Sequence, residues 1–166
     1  MKTKRIISLV IGMMLVFVFI ISISGFAQTY KRYDKKNIQD LNETVDTHET
    51  VIEVDGQIVL KGTFNAGQIL KFRVNGQSNV RISGRDVDKL DIEIDGQSTL
   101  DLWDLKANSI RLICNGQSII YADISRYDEV NCDGQCKIHL KNPPQAYSSS
   151  VHLNGGCSID KEAPVR

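Results

Sequence analysis

Four cysteines, at positions 114, 132, 136 and 157, are the residues of this 166-residue chain best equipped for chemistry. A thiol in a folded domain has three fates: pairing as a disulfide, ligating a soft metal as thiolate, or filling space as a small apolar group. Cys132-x3-Cys136 with two outlying partners is not a zinc-ligand spacing, so no metal is assigned. A second set, Asp91 and Glu93 with Lys71, Arg73 and Arg111, has the carboxylates and cations that polysaccharide-cleaving enzymes bring together in a groove. Three histidines, His48, His139 and His152, complete the titratable inventory. Whether any of these groups meet depends on the elements that carry them.

Those elements repeat. Asp/Asn-Gly recurs with its flanks, and the glycines are Gly56, Gly76, Gly96, Gly116, Gly134 and Gly155, spaced by 20, 20, 20, 18 and 21 residues. Fixed periods of this size mark stacked supersecondary units. Around each glycine the pattern is apolar-x-apolar, then Asp/Asn-Gly-Gln, then small-x-apolar-x-apolar, with period 2 on both sides of a turn. The prediction is an all-β, single-stranded β-solenoid of about six coils, since one coil cannot bury its apolar face alone. Glycine supplies the left-handed corner conformation.

Stacking the coils aligns columns. Val54, Val74, Ile94, Cys114, Cys132 and Leu153 precede the corner and point inward. Ile58, Ser78, Ser98, Ser118, Cys136 and Cys157 follow it, and then come Leu60, Val80, Leu100, Ile120, Ile138 and Ile159. Cys114 and Cys132 therefore share a column, as do Cys136 and Cys157. Laps lie ~4.8 Å apart, so a disulfide between neighbouring laps falls within the usual Cα window, although in-register side chains are further apart at Cβ than a relaxed bridge needs. Buried free thiols are the alternative. Outward columns alternate in charge, as in Lys71, Asp91, Arg111, Glu129 and in Glu53, Arg73, Glu93, which is cross-lap pairing. That pairing accounts for the carboxylates, and so regular a repeat has no long loops to build a cleft; the chain is not expected to be an enzyme. The glutamines Gln57, Gln77, Gln97, Gln117 and Gln135 line up for an amide ladder. Trp103, Ile119 and Tyr121 are expected to point outward on adjacent laps as a contact patch, unless the N-terminal segment or the proline-containing coil covers them. The histidines fall in different columns, and the Gly-Gly-x-Gly-x-Asp calcium repeat is missing, so no cofactor is expected.

The units "LDIEIDGQSTLDLWDLKANSIRLICNGQSIIYADI" and the closing "IHLKNPPQAYSSSVHLNGGCSID" resemble the head GIN domain of auto-transporter adhesins, over about residues 50–160. Asn142-Pro143-Pro144 resembles that family's C-terminal coil. Asp/Asn-Gly-Gln-Ser stands where the family typically has Ser-Gly-Ser-Gly or Ser-Gly-Ser-Ser. The resemblance implies a bacterial, exported, right-handed β-helix, and it carries no catalytic residues.

The N-terminus agrees with export. Lys2, Lys4 and Arg5 precede an apolar run over 6–23, and Ser24 to Ala27 place small residues for cleavage after Ala27, a signal peptide over 1–27. Retained, the run is long enough to anchor the chain in a bilayer through residues 6–23. Acidic and basic residues number 20 each; without those three cations the mature form carries about −3. No basic stripe appears, which argues against nucleic acid as partner. Residues 28–49 are polar, with Ile38, Leu41 and Val45 at helical spacing, and are expected to be a linker or short capping helix. The solenoid is assigned to 50–160 and a tail to 161–166. The expected function is a non-catalytic envelope or surface module that adheres to a glycan or an envelope protein, or a structural element that self-associates as a homo-oligomer; a polysaccharide-active enzyme is the remote alternative.

Overall fold

The computed structural model describes residues 19–23, 26–34, 38–45, 47–65, 67–143 and 150–161, with the side chains of 19–23, 26 and 38–40 left aside. The described residues are all-β. In chain order the strands are β1 (Phe19–Ile23), β2 (Phe26–Tyr33), β3 (Ile38–Thr44), β4 (Glu49–Gly56), β5 (Val59–Asn65), β6 (Ile69–Gly76) and β7 (Asn79–Ser83). They continue as β8 (Val87–Gly96), β9 (Thr99–Gly116), β10 (Ile119–Gly134), β11 (Lys137–Leu140), β12 (Val151–Gly155) and β13 (Ser158–Asp160).

Every pairing but one is parallel, as a solenoid requires. The strands before the glycine corner stack as β2-β4-β6-β8, then the second halves of β9 and β10, then β12. Those after the corner stack as β3-β5-β7, then the first halves of β9 and β10, then β11 and β13. The six corner glycines pair in one row: Gly56 with Gly76, then Gly96, Gly116, Gly134 and Gly155. All six have positive φ, from +71° to +124°.

Two demands meet at that corner. The positive φ disfavours any side chain, and the laps approach so closely that a Cβ at Gly76 would lie 2.6 Å from the Gly56 carbonyl oxygen. That oxygen accepts the Gln77 N–H at 3.0 Å and the Ser78 hydroxyl at 3.0 Å. The arrangement recurs above: Gly76 O accepts from Gln97 N–H at 2.8 Å and Ser98 Oγ at 3.2 Å. Serine in the small inward column is therefore chosen for a hydrogen bond that apolar Ile58, on the first corner, does not make.

The inward columns form one continuous core. Ile52, Leu60, Phe64, Leu70, Phe72, Leu90, Ile92, Leu100 and Leu112 are fully buried. Its two ends differ. At the N-terminal end Lys31 faces inward, opposite Ile52, and pairs with Glu43, with its ammonium 5.4 Å from the Phe64 ring centre. Tyr33 donates to Glu43 at 3.4 Å. An inward ion pair on the first lap blunts the end of a stack. On the last lap Val151, Leu153 and Ile159 pack against the core but stay half-buried.

The segment 28–49 corrects the sequence-based expectation. Its described residues form not a helix but strands of a further lap, with β2 beside β4 and β3 beside β5. The three-residue step from Ile38 to Leu41 imitates a helix, and a register shift between them absorbs it within the strand. Gly62 permits the close pairing, since a Cβ there would run into the Leu41 carbonyl. The solenoid thus begins before residue 50. Of the expected signal segment, residues 1–18, 24 and 25 lie outside the described residues, Phe19–Ile23 forms β1 antiparallel to β2, and no helix among the described residues is long and apolar enough to cross a membrane.

The stacked corner makes a graded prediction. Among the described residues none lies within 4 Å of a Cβ placed at Gly56, so Gly56→Ala is expected to meet mainly backbone strain, about 1 kcal/mol. Gly76→Ala meets that strain plus a backbone clash, together about 3 kcal/mol. Urea unfolding of both variants checks the order; equal losses would show that lap contact is not what selects glycine.

Candidate functional site

The cysteine cluster lies at the glycine corner. Cys114, two residues before Gly116, is bonded to Cys136, two residues after Gly134, with Cα atoms 6.8 Å apart. Cys132 and Cys157 are thiols. The bridge corrects the expected pairing: it joins neighbouring laps, but across the corner from one column to the other rather than within a column. In-register side chains project in parallel, whereas the corner turns the Cys114 and Cys136 side chains toward each other. The Cys132 sulfur lies within 4.8 Å of both bridged sulfurs. Burial first, and then the neighbouring Cys157, push the Cys132 thiol up to about 12, so at neutral pH it is protonated and a poor nucleophile. Cys157 is half-buried, and its sulfur accepts the Cys136 N–H at 3.4 Å. It thereby takes the place of the serine hydroxyls, which accept the same bond from Ser78 N–H at 3.1 Å and Ser98 N–H at 3.4 Å.

Of the expected aromatic patch, Trp103 and Tyr121 are in ring contact, but Trp103 is covered. Ile119 is exposed at 36% and Tyr121 is half-exposed, but Trp103 is buried, with 8% of its surface accessible. Leu102 pairs with Ala122 while Lys106 pairs with Asp123, so Trp103, Asp104 and Leu105 bulge out of register. Alternation fails there, and consecutive Leu102 and Trp103 are both buried. The Trp103 N–H donates to Asp101 at 3.1 Å, and its ring lies edge-on to Tyr121 at 6.5 Å and 5.8 Å from the Lys141 ammonium. Tyr121 stacks on His139 at 4.9 Å. The bulge also explains the 18-residue lap, which omits these three residues and gains one, Asp128, between Tyr127 and Glu129.

The carboxylates of the pre-corner face are engaged in ion pairs. Arg111 reaches Asp91 at 2.9 Å, Glu129 at 3.0 Å and Glu93 at 3.1 Å, spanning three laps. Hydrogen bonds to Asp91 and Glu93 hold its guanidinium above the ordinary arginine value. Lys71 pairs with Glu49 at 2.9 Å and Arg73 with Glu93 at 3.5 Å. Burial would raise Asp128, but the Ser109 hydroxyl at 2.9 Å and the charges of Arg126 and Lys89 outweigh it and hold that carboxyl below its usual value. His48, His139 and His152 do not gather with other ligand types into a metal-sized cluster among the described residues.

What remains displayed is the glutamine column. The Gln57 amide donates to Gln77 at 3.3 Å, and the Gln77 amide donates to Gln97 at 3.4 Å. Two grooves flank the row, one of about 420 Å³ at Gln57, Gln77, Asn79 and Gln97, and one of about 380 Å³ at Gln97, Thr99, Gln117, Ile119 and Lys137. Gln97 belongs to both. No protein family, curated protein or solved structure matches the chain. The corner grooves therefore rest on their own chemistry: an amide on each lap, with hydroxyls, Lys137 and the exposed aliphatic side chain of Ile119 beside it. The column was legible in the sequence, but the groove beside it was not, because its depth depends on how far the next strand stands from the corner.

Two outcomes test the electrostatic part. Arg111→Met leaves three carboxylates facing one another and costs about 1 kcal/mol in low salt, with the loss shrinking as salt screens their repulsion; urea midpoints at two ionic strengths read this. Asp128 has a depressed folded value, so its contribution is present above the unfolded carboxylate value of ~3.9 and is lost as pH falls through the folded one. The stability gap between the wild type and Asp128→Asn should close over that acid range. A gap independent of pH removes the assignment.

Proposed function

We propose that this chain is a non-catalytic module of the cell envelope or surface that holds an extended, hydroxyl-rich polymer, a glycan, along its glycine corner. The observation that carries the reading is the pair of grooves meeting at Gln97 beside a ladder of primary amides. Gln57 spends one donor, Gln97 one acceptor and Gln77 one of each on these bonds, so every one of the three keeps a donor and an acceptor for a ligand. Sugar hydroxyls donate and accept alike, which matches that offer, and Ile119 supplies an apolar contact in the same groove. A ligand repeating along the corner meets the same group on each lap, so weak contacts add. Engagement of Asp91, Glu93, Lys71, Arg73 and Arg111 in ion pairs supports the non-catalytic half.

Export is supported by the basic start, the apolar run and the small residues before Gln28. The β2–β4 register begins at Gln28 with Glu49, so cleavage after Ala27 would remove β1 and leave that register whole. A bacterial envelope location is what the likeness to head GIN domains implies. A second reading, self-association, draws on the last lap, where half-buried Val151, Leu153 and Ile159 leave apolar surface at the end of the stack.

A glycan array on the chain from Gln28, joined to size-exclusion chromatography, tests both. A monomer that binds a glycan, with Gln97→Ala/Gln117→Ala weakening binding at least about tenfold (1.4 kcal/mol) at unchanged melting temperature, supports the groove. Binding that survives the double substitution, or a defined oligomer without glycan binding, overturns it.

A further inference from the structure

We infer that Cys132 and Cys157 form a second disulfide, a copy of the Cys114–Cys136 bridge displaced by one lap, which latches the terminal lap to the stack. The known bridge joins the residue two before one corner glycine, Gly116, to the residue two after the next, Gly134. Gly134 pairs in register with Gly155. Cys132 stands two before Gly134 and Cys157 two after Gly155, so the pair holds the same relation across the next corner.

Side-chain placement agrees. Cys132 is buried and opposes Leu153 of β12, in the inward column that Cys114 also occupies. Cys157 packs against the core, and its sulfur is turned onto the Cys136 lap by the 3.4 Å bond from the Cys136 N–H. The Cys132 sulfur lies within 4.8 Å of the Cys136 sulfur, so both thiols neighbour Cys136, one at its sulfur and the other at its backbone N–H. Parallel geometry disfavours the in-column alternatives, Cys114–Cys132 and Cys136–Cys157, for the reason that made Cys114 bond diagonally.

The chemistry needs an oxidant, for which a small-molecule disulfide suffices. The Cys157 thiolate, the more accessible, attacks one sulfur of the reagent, forms a mixed disulfide and expels one small thiolate. The Cys132 thiol, held next to the mixed disulfide, then loses its proton as it attacks the Cys157 sulfur and expels the second small thiolate, which takes up that proton. Two protons and two electrons leave the protein, and one small disulfide becomes two thiols. Closure also removes the thiol that sits beside the first bridge and could exchange with it, so the second bond fixes the pairing of the first.

Its consequence is local. β12 and β13 are the shortest-range part of the stack, each paired through a single described edge, to β10 and β11. A bond from Cys157 into β10 ties the lap that follows the proline-containing segment to its neighbour, so the redox state sets how readily that lap opens.

The test uses the full chain treated with oxidised glutathione, denatured, alkylated without reduction and cleaved before aspartates and after basic residues. Cutting before Asp133 separates Cys132 from Cys136. The expected product is a cross-linked pair carrying Cys132 and Cys157 beside the Cys114–Cys136 pair. Alkylation of both Cys132 and Cys157 while Cys114–Cys136 stays intact overturns the proposal, and so does a bond from Cys132 to Cys114 or Cys136. Cys157→Ser should leave Cys132 alkylatable after denaturation. Oxidation should slow amide exchange in Val151–Gly155 and Ser158–Asp160 in the wild type and not in Cys157→Ser. Equal exchange in the two proteins overturns the latch even if the bond forms.

Discussion

The close stacking of backbone on backbone at the glycine corner governs this molecule. Each corner carbonyl lies where the next residue's Cβ would be, and it accepts hydrogen bonds from the lap above. Only glycine satisfies the conformation and the distance together. Because the corners stack without slippage, the register of every strand leaving them is set. A shift of one residue would turn the apolar face to solvent along both ladders, and the core from Ile52 to Ile138 would be lost together.

From that register the surface follows. Outward residues on successive laps stand one above another, so like charges would repel along the whole face. Arg111 between Asp91 and Glu129, with Glu93 alongside, is the local answer, and alternating Asp and Asn at the corner is another. The same stacking that neutralises the face engages its charged groups with one another in ion pairs. The row of amides beside the corner grooves repeats along the same stack, and the proposed glycan contact rests on it. The ends carry a different logic. Charge faces inward at the first lap through Lys31 and Glu43, whereas apolar groups remain half-covered at the last.

Particular residues mark how far the primary structure was legible. The glycine row, the inward columns and the glutamine ladder were all readable, because each depends on a period that local backbone geometry imposes. Ile38 and Leu41 misled, since a bulge in a strand and a turn of helix can place apolar residues at the same interval; pairing with β5 decided between them. Trp103 misled in a different way: it is buried without joining the core cluster, beside the Tyr121 ring and the Lys141 ammonium, and such cover depends on neighbouring laps, which counting by two does not record. The cysteines were placed in the correct columns and given the wrong partner, because a column diagram records height along the stack and not the direction in which side chains lean at a corner.

The sequence by itself determined that the chain coils, how often, and which side chains face the core, because a twofold alternation punctuated by glycine has few ways to bury its apolar half. Tertiary structure alone decided where the coil begins, which thiols meet, and which aromatic residues reach solvent. Those outcomes depend on register shifts and on distances across a corner, which arise only when one lap settles on another.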